Sequence, residues 1–162
     1  MSMIFTEEIG PVTGDEINDG EAVVNSLPFW PEIRLARLRK AMRLDGQVTT
    51  DRLQDKTVEA VAYVNDQLRA WRCEQERVGA TTLAEVNADP VNGESVLVWR
   101  YLRAVYSVSK ALLIEGYRDI DTTREGEKHA QALTSQIDTL WRDGHWAIRD
   151  IQGESRGLAE LV

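Results

Sequence analysis

The stretch Leu27–Leu53, LPFWPEIRLARLRKAMRLDGQVTTDRL, contains the start and end of one helix and the start of another. Proline suits a first helical turn because its missing N–H would lack a partner there, so we predict a helix over roughly Pro31–Arg43. Leu35, Leu38 and Met42 recur on one face of this helix at helical spacing. The LDGQ turn then ends it, since glycine commonly follows the last turn of a helix.

Three further helices are predicted outward from this stretch. Thr49 or Thr50 caps a second helix that extends to about Val78. A third helix covers roughly Gly93–Tyr117 and is apolar over much of its circumference, which is typical of a helix that is central in a bundle or packed on a neighbouring chain. A fourth helix covers about Thr123–Arg142.

The remaining segments lack sustained periodicity. Gly79–Ser95 is predicted to be a loop with a short helical turn near Leu83. Gly144 is interpreted as an interruption after the fourth helix, with another helical turn or two beyond it. No strand is predicted, because no segment alternates and no Asn-Gly hairpin is identified. The fold class is therefore all-α, a small bundle of four main helices with short connections. Its predicted parts are an acidic flexible arm (1–27), the bundle (28–152) and an extended C-terminal docking tail (153–162).

The composition is that of one soluble domain. Of the 162 residues, 43% are hydrophobic and 28% are charged, which is enough for a core and a solvated surface. No apolar run approaches the length of a membrane span, and the N-terminus lacks the features of a signal peptide. The single cysteine, Cys73, excludes an internal disulfide and is consistent with folding in a reducing cytosol.

Charge is distributed unevenly along this acidic chain, whose formal net charge is −8. Residues 1–30 contain six acids and no Lys or Arg, whereas the first predicted helix contains five bases. These bases are either the solvated side of an amphipathic helix or a surface that contacts backbone phosphates or an acidic protein. The candidates for this charged interface are Arg34, Arg37, Arg39, Lys40 and Arg43.

No catalytic constellation is recognised, so we predict neither an enzyme nor a cofactor. The sequence has no Gly-rich phosphate loop, no paired-cysteine metal pattern and no His-Glu-x-x-His. His129 and His145 lie 16 residues apart and are interpreted as solvated or structural histidines. Glu125 and Glu127 are two residues apart and point to different sides of their helix, unlike the carboxylates of metal-binding bundles.

Apolar residues near both ends of the bundle are candidate contacts with other chains. Phe29 is expected to fold back on the first helix as a hydrophobic staple, whereas Trp30 either packs inside or faces a neighbouring subunit. Both are candidate inter-subunit anchors. The apolar end of the chain either folds back over Trp146 or docks on another chain. Its candidate docking residues are Leu158, Leu161 and Val162.

Four segments are distinctive in their order and spacing. They are PFWPEIRLARLRKAMRLDGQVTTDRL, then AVAYVNDQLRAWR, then VWRYLRAVYSVSKALLIEGYRDIDTT, and WAIRDIQG with LAELV at the C-terminal end. Across most of residues 28–162, they resemble the head completion/stabilisation (GPL) family of contractile-tailed phages and their prophages. None of the segments is a catalytic signature.

The resemblance implies a structural protein of the virion, located in the head–tail neck and made in the bacterial host cytoplasm. Such a protein would complete and stabilise the DNA-filled head by forming an adaptor ring under the portal, commonly of twelve copies, on which the tail-side connector assembles. The implied partners are the portal protein, the tail-side connector or tail terminator, and other copies of this chain. Non-specific contact with packaged DNA is compatible with this role, and no membrane is implied.

The same resemblance suggests how the copies attach. A terminal segment would insert into the portal. The basic helix would face a charged surface in the ring, which is the DNA channel, the portal or the acidic arm of the next copy. The alternative function is a DNA-binding packaging component such as a small terminase subunit, which the acidic net charge argues against. A bundle enzyme such as a nucleotide hydrolase is a third interpretation, and it lacks the expected carboxylate pattern.

Overall fold

The computed structural model of this chain describes residues 17–118 and 124–157. In these residues the chain is mostly helical, as predicted, but two short antiparallel hairpins accompany the helices. The α-helices are α1 (Leu35–Ala41), α2 (Thr50–Gln67), α3 (Arg69–Arg77), α4 (Val96–Arg118) and α5 (Arg124–Gln152), and a 3₁₀ turn covers Leu83–Glu85. The strands are β1 (Val23–Val24), β2 (Ile33–Arg34), β3 (Pro90–Val91) and β4 (Glu94–Ser95).

Helix α4 is the central element of the fold. Thirteen of its 23 residues are buried, and it packs mainly against α5 on one side and α2 on another. The broad apolar surface predicted for the third helix is therefore packed in the core of its own chain. The fully buried ring of Tyr101 and the fully buried Val105 and Val108 mark the middle of this core.

Helix α5 is longer than predicted because Gly144 does not end it. The helix continues through Gly144 to Gln152, and the chain turns at Gly153 with a positive φ of 71°. A Cβ placed on Gly144 would lie 3.0 Å from Cγ2 of Val108 and 3.7 Å from the Ala104 carbonyl oxygen. Glycine is therefore the residue that lets α5 approach α4 closely at this point.

We expect Gly144→Leu to lower the free energy of unfolding by about 1–3 kcal/mol, because the new side chain must push α5 away from α4. Gly116→Leu is the matched control, since Gly116 also lies within a helix but has no atom within 4 Å of an added Cβ. There the gain in helix propensity should leave stability unchanged or raised. Urea denaturation of both variants checks the prediction, and equal losses at the two positions would contradict it.

The first two predicted helices have different boundaries in the structure. Helix α1 begins at Leu35 instead of Pro31, because the residues before it form β2. The second predicted helix is divided at Leu68 into α2 and α3. Leu68 is fully buried and has φ −98° and ψ 5°, outside the helical range, but its N–H still bonds to the Val64 carbonyl at 3.1 Å and its carbonyl accepts from the Arg72 N–H at 2.8 Å. The division is therefore a local irregularity at a core residue. The predicted cap is confirmed at Thr49, whose side chain accepts from the Arg52 N–H.

The expectation that the chain has no strands and no Asn-Gly hairpin is wrong. Strand β3 pairs with β4 across Asn92 and Gly93, both with positive φ (51° and 78°), as a two-residue primed turn requires. Strand β1 pairs with β2 in the register Val23↔Arg34 and Val24↔Ile33. Each strand is only two residues long, so neither hairpin produces an alternating pattern in the sequence.

Candidate interaction surface

One of the five bases predicted to form a charged interface is internal. Arg39 is 9% exposed. Its guanidinium makes a bidentate pair with the Asp19 carboxylate, in which Nε donates to Oδ2 at 2.6 Å and Nη2 donates to Oδ1 at 3.0 Å. Its Nη1 also donates to the Asp45 carbonyl at 2.9 Å, and the Thr50 hydroxyl donates to Asp19 at 2.7 Å. The hydrogen bonds from Arg39 hold the pKa of Asp19 below its ordinary value despite burial.

This pair fixes the position of residues that the sequence assigned to the arm. Asp19 and Ala22 are bound to the bundle through Arg39 and through a backbone bond from the Leu35 N–H to the Ala22 carbonyl at 3.1 Å. Residues 17–27 are therefore packed against α1 and α2, and residues 1–16 of the predicted arm lie outside the described residues.

Because the pKa of Asp19 is lowered on folding, the pair stabilises the protein above the ordinary carboxyl pKa of 3.8 and loses its effect as pH falls through the folded value. We expect Asp19→Asn to lower the free energy of unfolding at neutral pH by about 3 kcal/mol, since Arg39 would keep its charge without a carboxylate partner. We also expect a flatter decline of stability below about pH 5 in the variant.

Urea titrations between neutral and acid pH measure both effects. Glu74→Gln is the control, because Glu74 and Arg77 form an ion pair whose side chains are both exposed. An acid dependence in Asp19→Asn as steep as that of the parent chain would contradict the prediction.

The other four bases of the first predicted helix are exposed and face different parts of the surface. Arg34 bonds to Glu32 at 3.3 Å, and Arg37 lines a groove over α4. Lys40 and Arg43 border a separate hollow beside residues 17–19. The structure thus divides the predicted charged interface between two sides of α1 and the interior.

Phe29 and Trp30 are both buried inside their own chain. Their exposures are 2% and 5%, and the Trp30 ring stacks on Tyr101 of α4 with centroids 4.7 Å apart. Phe29 meets Trp30 edge-on at 4.8 Å and approaches Trp71 at 6.3 Å, while its carbonyl accepts from the Leu83 N–H. Trp30 therefore packs inside, and neither ring offers a surface to a neighbouring subunit in this conformation.

We expect Trp30→Ala to lower the free energy of unfolding by about 3–5 kcal/mol, because it removes a stacked ring from the core. Trp146→Ala is the control, since Trp146 is partly exposed and lies under the Arg142 guanidinium at 4.7 Å. Thermal unfolding of the two variants compares them. A Trp30 variant as stable as the Trp146 variant would mean that the aromatic pair does not support the fold.

A groove of about 610 Å³ runs over α4 between the end of α1 and the end of α5. Its floor includes Trp99, Leu102 and Tyr106, and a second hollow of about 380 Å³ continues from the same floor toward Pro31 and the β3–β4 hairpin. The Trp99 indole N–H donates to the Val91 carbonyl at 2.8 Å, which holds the hairpin at the groove's edge.

Arginines dominate the charge around this groove. Arg156 pairs with Asp150 at 2.6 Å, and Arg100 donates to the Asp150 carbonyl at 3.4 Å. Arg37 and Arg103 make no ion pair with any residue that the structure describes. Arg37 of α1 therefore lines the same groove as the arginines of α4. Two of these, Arg100 and Arg103, were not among the residues predicted from the sequence. Their signal was present, because Arg100 and Arg103 lie three residues apart on α4, next to Trp99 and Leu102.

The predicted docking residues Leu158, Leu161 and Val162 lie outside the described residues. The chain reaches them from Arg156 and Gly157, and Arg156 lines the groove.

Two kinds of site were searched for in the described residues, metal clusters and membrane-spanning helices. No group of three or more His, Cys, Asp or Glu side chains in 17–118 and 124–157 comes close enough to hold a metal ion. None of the helices in the same ranges is long and apolar enough to span a bilayer. His145 lies 2.7 Å from the Tyr63 hydroxyl and is exposed, as is His129.

Comparison with known proteins identifies the family. A family model described as phage head completion protein (GPL) matches residues 24–162. The chain belongs to this family. The head completion/stabilization protein of Escherichia phage P2 is 36% identical over 168 aligned positions, which cover 100% of this chain and 99% of that protein. No solved structure matches the chain.

Family membership confirms the resemblance seen in the sequence. The matched region includes every helix of the bundle, the groove and the C-terminal residues. GPL proteins are structural components of phage head completion, so the chain falls among virion assembly proteins and outside enzyme families.

Proposed function

We propose that this chain completes and stabilises the DNA-filled phage head as an adaptor ring between the portal and the tail-side connector. The observation that carries the proposal is the family match over residues 24–162, which includes every helix and the groove over α4. The relative in phage P2 is named for head completion and stabilisation. The ring, its twelve copies and its position under the portal come from the resemblance of the sequence to this family.

The shape and charge of the bundle support contact between unlike surfaces. A ring of identical copies is built by head-to-tail contacts, in which one patch of each copy meets a different patch of the next. The candidate patches are the arginine-rich groove over α4 and the acids of the N-terminal region, of which Glu21 lines a hollow together with Arg34 and Arg37. Asp19 is already paired with Arg39 of its own chain, so pairing between copies falls to other acids, including the exposed Glu21.

The portal and packaged DNA are matched to surfaces of this chain by the polarity and charge of its residues. The apolar Leu158, Leu161 and Val162 suit docking on the portal. The exposed Lys40 and Arg43 suit non-specific contact with packaged DNA, which needs only positive charge near phosphates. The tail-side connector would assemble on the surface that these contacts leave open.

We expect the purified chain to bind purified portal rings of the same phage in a fixed multiple, twelve per ring, as measured by native mass spectrometry. Leu161→Asp should weaken this binding, because it places a charge on the proposed docking tail. Val78→Asp is the matched control, since Val78 is 63% exposed at the end of α3 and should tolerate the same change.

Two results would contradict the adaptor role. One is an absence of portal binding by the folded chain. The other is binding to duplex DNA that falls steeply with salt and occurs without portal binding, which would favour the packaging component instead.

A further inference from the structure

Three helices of this chain end in the same backbone conformation, and in one of them the conformation falls on an arginine. Gly79 follows α3 with a positive φ of 111°, and Gly153 follows α5 with a φ of 71°. Arg43 holds the equivalent position after α1 with a φ of 53°. Glycine is usual at this position, because a residue with a Cβ is strained there.

The backbone hydrogen bonds show that the three positions are equivalent. In each case the N–H of this residue bonds to the carbonyl three residues earlier, and the next N–H bonds to the carbonyl five residues before it. After α1 these bonds join Arg43 to Lys40 at 3.3 Å and Leu44 to Arg39 at 3.0 Å. After α3 they measure 3.1 and 3.0 Å, and after α5 they measure 3.4 and 3.0 Å.

The side chain of Arg43 does not offset this strain with contacts in its own fold. It is exposed and makes no hydrogen bond or ion pair with the part of the chain that the structure describes. The end of α1 does not need it, because the Met42 carbonyl accepts from the Lys110 ammonium at 2.9 Å. An observed strain without a structural return indicates a function outside the fold.

Arg43 lines the hollow of about 530 Å³ beside residues 17–19, together with Lys40. Lys40 is also exposed and makes no ion pair with any described residue. The lining has three bases and two acids, and one of these acids, Asp19, is already paired with Arg39. The hollow therefore has a net positive charge, although the chain as a whole is acidic.

The composition of this hollow favours a phosphate backbone over a protein surface. None of the residues that line it is aromatic, and one of its two exposed bases is a lysine, a residue that protein interfaces tend to exclude. Phosphate contacts need positive charge and little apolar area. The groove over α4, with Trp99 and Tyr106 in its floor, has the composition of a protein contact instead.

We propose that Arg43 occupies its strained position in order to contact the phosphate backbone of duplex DNA, together with Lys40. This inference rests on the proposed function, because packaged DNA is the duplex that an adaptor under the portal meets. It goes further by assigning the contact to one residue that costs the fold stability. At about 0.1 M salt, charges are screened beyond about 10 Å, so the local charge of the hollow acts despite the net charge of −8.

Arg43→Gly tests both parts of the inference, because it relieves the strain and removes the charge. We expect the equilibrium constant for folding, measured by urea denaturation, to rise about two- to fivefold. We expect binding to a fluorescent mixed-sequence duplex to weaken, and the slope of log K against log salt concentration to become shallower by about one. Arg43→Lys keeps a charge in the same backbone conformation, so its stability and salt slope should stay close to those of the parent chain.

Arg69→Gln is the control for net charge. It removes one exposed positive charge beyond the far end of α2, about 26 Å along that helix from Thr50, which bonds to Asp19 at the hollow. Its salt slope should equal that of the parent chain. Equal slopes in Arg43→Gly and Arg69→Gln would overturn the proposal, as would a parent chain that does not bind the duplex. An Arg43→Gly variant less stable than the parent would also overturn it, because Arg43 would then support the fold.

Portal binding by the same variants separates this inference from the adaptor role. Arg43→Gly should bind portal rings as the parent chain does. A loss of portal binding with unchanged duplex binding would assign Arg43 to an acidic protein surface and overturn the proposal. If the parent chain fails to bind portal rings while the duplex results are as expected, the adaptor role is contradicted and the phosphate contact is supported.

Discussion

Helix α4 is apolar on most of its circumference, and the positions of the other elements follow from the need to cover it. Helix α5 covers one side through the close approach at Gly144. Helix α2 covers another, where Tyr101 donates to Asn65 and the Trp30 ring stacks on Tyr101. A helix with this surface cannot be stable in water alone. The groove over Trp99 lies on α4 between the end of α1 and the end of α5.

The buried pair of Asp19 and Arg39 explains part of the charge distribution in the sequence. An acidic N-terminal region and a basic helix looked like partners in different chains, but this pair forms within one chain. Because Asp19 also accepts from Thr50, the pair joins the N-terminal region to α1 and α2 at once. Charge that appears to be available for assembly is thus partly used to close the fold.

Sequence periodicity was sufficient to predict the helices but not their ends. Leu68 fits the apolar stripe of a continuous helix, so no local signal indicated that its backbone angles depart from helical values. Gly144 was interpreted as a helix end because glycine lowers helix propensity. Its role in the close approach of α5 to Val108 depends on tertiary structure, which the local sequence does not show. The Asn92–Gly93 turn was visible in the sequence and was missed because its strands are two residues long. The groove combines residues from α1, α4 and the end of α5, and no linear pattern joins them.

The interior positions of Arg39, Phe29 and Trp30 change where contacts with other molecules are to be sought. These charged and aromatic residues stood out in the opening stretch as candidates for contacts with other molecules. Their burial shows that they stabilise the fold of their own chain. Arg37, on the same helix, instead faces the groove with Arg103 of α4. The groove over α4 is where arginines of this helix emerge beside its aromatic residues, and Arg156 lines the same groove.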